Sequence, residues 1–124
     1  MELTPQPTDG RLTIDSFSPA GFVVDGTLYP GGIIICASKI ITGFPATCLA
    51  HLTGQQLEQI SSLRPELVLI GCGTKQPLPD HRLFVPLLQK GIGVEIMTTA
   101  AACRTYNVVV SEDRGAVAAL MPLD

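Results

Sequence analysis

The residues with the most chemical capacity lie close together between Gly91 and Asn107. Cys103 is a nucleophile once ionised, Arg104 is a fixed cation, Thr105 and Asn107 are neutral hydrogen-bonding groups, and Glu95 is a carboxylate. Thr98-Thr99 just before them suits a helix cap, and Gly93-Val-Glu-Ile-Met97 reads as the strand leading into it. That order sets polar side chains at the carboxyl end of a strand, the edge where open parallel sheets hold ligands. A second cluster, Gly71-Cys-Gly-Thr74, follows the apolar run Glu66-Leu-Val-Leu-Ile70. The candidate ligand-binding residues are therefore Gly71, Gly73, Thr74, Glu95, Thr99, Cys103, Arg104, Thr105 and Asn107. No complete nucleophile, base and orienting group is present, so no residue is assigned as catalytic.

Each candidate has a plainer reading. Glycines after a strand let backbone amides approach a phosphate. Here Gln76 stands where the third glycine of G-x-G-x-x-G would fall, Pro77 and Pro79 push any helix away from the turn, and no Gly-Lys-Ser/Thr follows. The turn is read as a strand-to-helix connection that needs small residues. Cys103 beside Arg104 near a helix start has surroundings that favour a thiolate; after three alanines it equally fits a small residue packed against a sheet. Glu95 inside an apolar strand requires a partner if it is buried, and Arg104 is the obvious one. A structural ion pair and a polar pocket for a small acidic or amide ligand both remain open. His51 and His81 read as surface residues.

Composition excludes several function classes. Of the 124 residues 46% are apolar and only 15% charged, with a formal net charge of -3, so no basic stripe exists to meet nucleic acid. The low charge points to surface covered by a protein partner or a second copy. Cysteines 36, 48, 72 and 103 never approach a C-x-x-C spacing, which argues against a structural metal and, with no secretory signal, for reduced thiols. No apolar run reaches the length of a membrane span. The expectation is a cytoplasmic protein with no cofactor, no metal and no membrane insertion.

The elements that must position the candidates follow from local pattern. Residues 1–10 read as a flexible arm and 11–124 as one domain. Leu12 to Phe17 alternates like a half-wet strand. Phe22-Val-Val24 and Thr27-Leu-Tyr29 flank Asp25-Gly26 as a hairpin, and Ile33 to Ala37 is a strand covered on both faces. The stretch 40–52 is ambiguous, with Ile40-Ile41 able to extend a strand. Thr53 and Gln56 form a capping box for a helix over about 54 to 63, and a buried strand covers 66–70. Asp80 suits the cap of a helix in which Pro86 predicts a kink or late start. After the strand at 93–97 the pattern predicts a helix over about 99–111, although Val108-Val-Val110 suits a hairpin with the strand 116–121 instead. The alternation of strands and helices implies an α/β fold with a largely parallel sheet.

Leu67-Val-Leu-Ile-Gly-Cys-Gly-Thr74, Pro77 and Pro79, Gly91-Ile-Gly-Val-Glu-Ile-Met97 and Ala101-Ala-Cys-Arg-Thr-Tyr-Asn107 resemble the Mth938-like family, as do Phe44-Pro45 and the segment 115–120. The resemblance covers most of the chain. It implies a three-layer α/β fold with a mixed, largely parallel central sheet plus an N-terminal β-hairpin, and a bacterial member without an assigned activity. Cys72 stands where the family often has Thr, and Thr98 where it often has Asp, which weakens any catalytic inference there. A mitochondrial relative is an assembly factor for respiratory complex I. The leading expectation is a non-enzymatic protein-binding or assembly factor; the alternative is a ligand-binding protein or enzyme with a pocket between the 71–74 turn and the 103–107 helix start.

Overall fold

A computed structural model describes residues 2–3, 10–45, 51–75 and 81–123. The Asp-Gly dipeptide does what its chemistry allows: Asp25 and Gly26 take φ of 51° and 78°, and the turn joins β3 (Gly21–Val24) to β4 (Thr27–Tyr29). β2 (Ser16–Ser18) pairs with β3, completing a three-stranded antiparallel sheet. Of the expected strand over Leu12 to Phe17 only Ser16 and Phe17 enter a ladder, as the start of β2. Leu12 and Ile14 are buried outside any ladder.

The larger sheet holds β1 (Glu2–Leu3), β5 (Gly32–Ile35), β6 (Ile40–Phe44), β7 (Leu67–Gly71), β8 (Gly93–Met97) and β9 (Ala116–Leu120). Their order is β1-β6-β5-β9-β7-β8. β7 runs parallel to both β8 and β9, whereas β5 pairs antiparallel with β6 and β9, and β1 antiparallel with β6. The sheet is mixed as expected but not largely parallel: β7 with β8 and β9 forms its parallel part, and the other three pairings are antiparallel, β5 and β6 being joined by a connection too short for a parallel crossover. The ambiguous Ile40 stretch becomes β6, and Glu2–Leu3 extends the sheet beyond it; the rest of the expected arm up to residue 9, like residues 46–50 and 76–80 with Cys48 and the Asp80 cap, lies outside the described residues.

Helix signals resolve as their caps dictate. α1 (Gly54–Ser61) starts at Thr53, whose hydroxyl accepts from the Gln56 N–H while the Gln56 side chain accepts from the Thr53 N–H. Pro86 does not kink a long helix: a 3-10 turn covers His81–Phe84, and α2 (Val85–Gln89) begins with Pro86 in its first turn, where a missing N–H costs nothing. Val108-Val-Val110 stays helical, because α3 (Thr99–Ser111) buries Val109 and Val110 along with Ala102, Cys103 and Tyr106 on one face. Burial of that apolar face outweighs the modest helix penalty of β-branched residues.

The large sheet separates two cores, and residues along each central strand alternate between them. Ile33, Ile35, Leu67, Leu69, Ala118 and Leu120 point to one side, where α3 and the small sheet cover them. Ile34, Val68, Ile70, Val117 and Ala119 point to the other, against residues of α1 and α2 such as Leu57, Ile60 and Leu87. These are the three layers, and they leave the carboxyl ends of β7 and β8 beside the start of α3.

Candidate functional site

Thr99 is the centre of the carboxyl edge. It is 0% exposed, and its hydroxyl accepts from the Gly73 N–H at 2.8 Å and donates to Met121 O at 2.7 Å. Its own N–H donates to Gly73 O at 2.9 Å, and the Met121 N–H donates to Gly71 O at 2.8 Å. One side chain thus ties the turn after β7, the start of α3 and the end of β9. Gly71 has to be glycine for this closure, since a Cβ there would stand 2.9 Å from Thr99 Cα. Gly73 takes φ +85°, a conformation that L side chains rarely adopt.

The helix start is equally self-contained. Thr98 is the N-cap, its hydroxyl accepting from the Ala101 N–H, and the Ala102 N–H donates to Thr98 O. Three of the backbone donors at this helix start, the N–H groups of Thr99, Ala101 and Ala102, are directed to the chain's own oxygens rather than toward an anion. The structure brings Gly71, Gly73 and Thr99 together and fills the space between them with their own atoms. Thr74 lies exposed beyond the turn.

Cys103 is buried on the sheet-facing side of α3. Burial pushes its thiol up to about 12, against a smaller opposite pull from Arg104, so the protonated form dominates near neutrality. Arg104 is exposed and Thr105 half-buried. Glu95 is exposed as well, and the ion pair expected between it and Arg104 does not form: among the described residues the bridge that does form is Arg11 with Asp113, at 3.1 Å. The reason is position. β8 ends the sheet, so Glu95 stays in water although its strand reads as apolar, and no partner is required.

Asn107 has a different task. Its Oδ1 accepts from the Ile14 N–H and its Nδ2 donates to Ile14 O, both at 2.8 Å. The buried Tyr106 hydroxyl donates to Leu12 O at 2.9 Å, and Arg11 donates to Val110 O at 2.8 Å. Residues 106 to 110, little more than one turn of α3, therefore hold the segment 11–14, which leads into the small sheet. Arg11 and Asp113 carried no local signal in the sequence, because they meet only through this strap.

Among the described residues no group of three His, Cys, Asp or Glu side chains could hold a metal ion, and Cys36 and Cys103 are free thiols. A cleft of about 440 Å³ opens away from the candidate residues, between α1 and α2, with Gly54, Leu57, Glu58, Leu83 and Leu87 among its walls. Lys90 donates to Ser61 Oγ at 3.0 Å at its side. No residue-type signal marked this cleft, which arises from how two short helices lie on the sheet.

Comparison with known proteins places the chain. An uncharacterised protein of Rhodobacter capsulatus is 36% identical over 117 residues, covering 92% of this chain and 87% of that one. NADH dehydrogenase [ubiquinone] 1 alpha subcomplex assembly factor 3 of Xenopus tropicalis is 31% identical over 112 residues, which is 90% of this chain but only 61% of the assembly factor. In three dimensions a Mth938-like domain of Bordetella pertussis superposes with a TM-score of 0.80 at 27% identity, covering 98% of this chain and 92% of that domain. The family model described as protein of unknown function (DUF498/DUF598) matches residues 14–121. With that match across nearly the whole chain and the shared fold, the protein belongs to the DUF498/DUF598 family and has the Mth938-like architecture expected of it.

Proposed function

We propose that the chain is a non-enzymatic assembly factor that works through protein contacts, in the cytoplasm, on a membrane-bound respiratory NADH dehydrogenase. The observation that carries this reading is its 31% identity, over 90% of its length, to NADH dehydrogenase [ubiquinone] 1 alpha subcomplex assembly factor 3 of Xenopus tropicalis. The inward-turned chemistry of the carboxyl edge agrees with it. Thr99, Gly73 and Asn107 spend their hydrogen-bonding capacity on the fold itself, and the buried Cys103 thiol is held protonated, a poor state for a nucleophile. Free thiols at Cys36 and Cys103 suit a reducing compartment. Among the described residues no helix is long and apolar enough to cross a membrane, so contact with the membrane-bound complex is assigned to its subunits.

The test is deletion of the gene in its native cell, followed by native electrophoresis of solubilised membranes with in-gel NADH oxidation. The expected outcome is loss of the full-size dehydrogenase and accumulation of smaller subassemblies, restored by re-expression of the chain. A full-size complex at undiminished abundance would rule the reading out.

A further inference from the structure

β8 is the last strand of the large sheet and, among the described residues, pairs only with β7. In a parallel pair alternate residues turn their backbone groups toward the neighbour. The Gly93 N–H donates to Glu66 O at 3.1 Å, and Met97 O accepts from the Cys72 N–H at 2.9 Å. Gly93, Glu95 and Met97 therefore face β7, and Val94 and Ile96 present their N–H and C=O groups outward. No described residue bonds to those groups.

The side chains around this open edge have two characters. Val94 and Ile96 lie on the α2 side, only partly buried against the second core. α2, which packs against β8, exposes Val85 at 40% and Leu88 at 48%. Glu95 projects from the opposite face as the one charge on the strand, exposed to water. An unpaired strand edge bordered by apolar surface accepts an extended segment by strand addition. A second copy is a poor fit. Antiparallel self-pairing with Val94 across from Ile96 would set Glu95 against its own counterpart at the closest cross-strand position, between two chains each of formal charge -3.

We infer that the β8 edge receives an extended segment of a partner protein, with a Lys or Arg across from Glu95 and apolar residues beside Val94 and Ile96. This rests on the assembly-factor reading and names the surface such a factor would use. The backbone supplies the attraction and the carboxylate selects the sequence.

The experiment uses the full chain and two synthetic peptides, Thr-Val-Lys-Val-Thr and Thr-Val-Glu-Val-Thr, with binding and amide hydrogen exchange followed by NMR. The lysine peptide is expected to slow exchange at Val94 and Ile96, and the glutamate peptide to bind about fivefold more weakly, the scale of a cross-strand charge pair. Glu95→Lys should reverse that preference. Val94→Pro, which removes an outward donor without touching the ladder to β7, should abolish pairing; if that variant does not fold, the reversal by Glu95→Lys decides. The inference is overturned by unchanged exchange at Val94 and Ile96, by an unreversed preference, by protection at a different strand edge, or by protection of the same amides through self-association without peptide. A deletion strain with defective assembly and no peptide pairing would remove this surface and leave the function standing; pairing with normal assembly would do the opposite.

Discussion

At the scale of single residues the carboxyl edge is a set of mutual obligations centred on Thr99. Replacing it by Val keeps the shape and deletes the hydroxyl, leaving the Gly73 N–H and Met121 O without the partner they have at 2.8 Å and 2.7 Å. Buried groups left unpaired cost more than the net gain of the bonds they lose. Thr99→Val is expected to lower unfolding stability by about 3 kcal/mol, read as a shift in the urea midpoint with the slope unchanged. Cys103 makes a prediction about pH. Its thiol has a value near 9.0 when unburied and about 12 in the fold. A raised value means the folded state keeps the proton where the unfolded chain has released it. The contribution is therefore fully present below about pH 9 and is lost as pH rises toward 12. Between those limits Cys103→Ala should flatten the decline in stability relative to the parent chain, measured by urea titration at several alkaline pH values. An identical decline in both proteins would show that the thiol does not titrate on unfolding.

At the scale of elements, the strap over α3 joins the small sheet to the large one. Asn107 acts as a surrogate peptide group, accepting and donating at Ile14 much as a neighbouring strand would. Asn107→Ala is expected to cost about 1–2 kcal/mol and to release the Ile14 amide to fast hydrogen exchange while the α3 amides keep their protection. A protected Ile14 amide in the variant would show that the strap is held by other bonds. This device also explains which elements could be read in advance. The helix at 54–61 and the strands at 67–71, 93–97 and 116–120 follow from caps and apolar runs contained in a few neighbouring residues. The segment at Leu12 and Ile14 alternates like a strand because it is buried on one side, yet its backbone partners include Asn107 and Tyr106, some ninety residues away and invisible to local periodicity. Val108-Val-Val110 is the converse case, in which a tertiary face overrules local preference.

At the scale of the whole molecule, the layered α/β architecture was legible because both faces of the large sheet are apolar and the strands and helices alternate. The candidate site was legible only in part. Proximity of Gly71, Gly73 and Thr99 follows from strand order, and the structure brings them together. Whether Glu95 is buried depends on which strand ends the sheet, a property of topology that the letters around Glu95 do not carry. The α1–α2 cleft likewise depends on two helices distant in sequence.

The position of β9 has a consequence of its own. It is the latest of the described strands in the chain, yet it stands mid-sheet, joined to β5 on one flank and β7 on the other. During synthesis the earlier strands emerge from the ribosome as two unconnected halves, each with a raw hydrophobic margin, and they can be welded only after residue 120 clears the exit tunnel. Closure of the large sheet therefore waits on β9, the strand that joins its two halves.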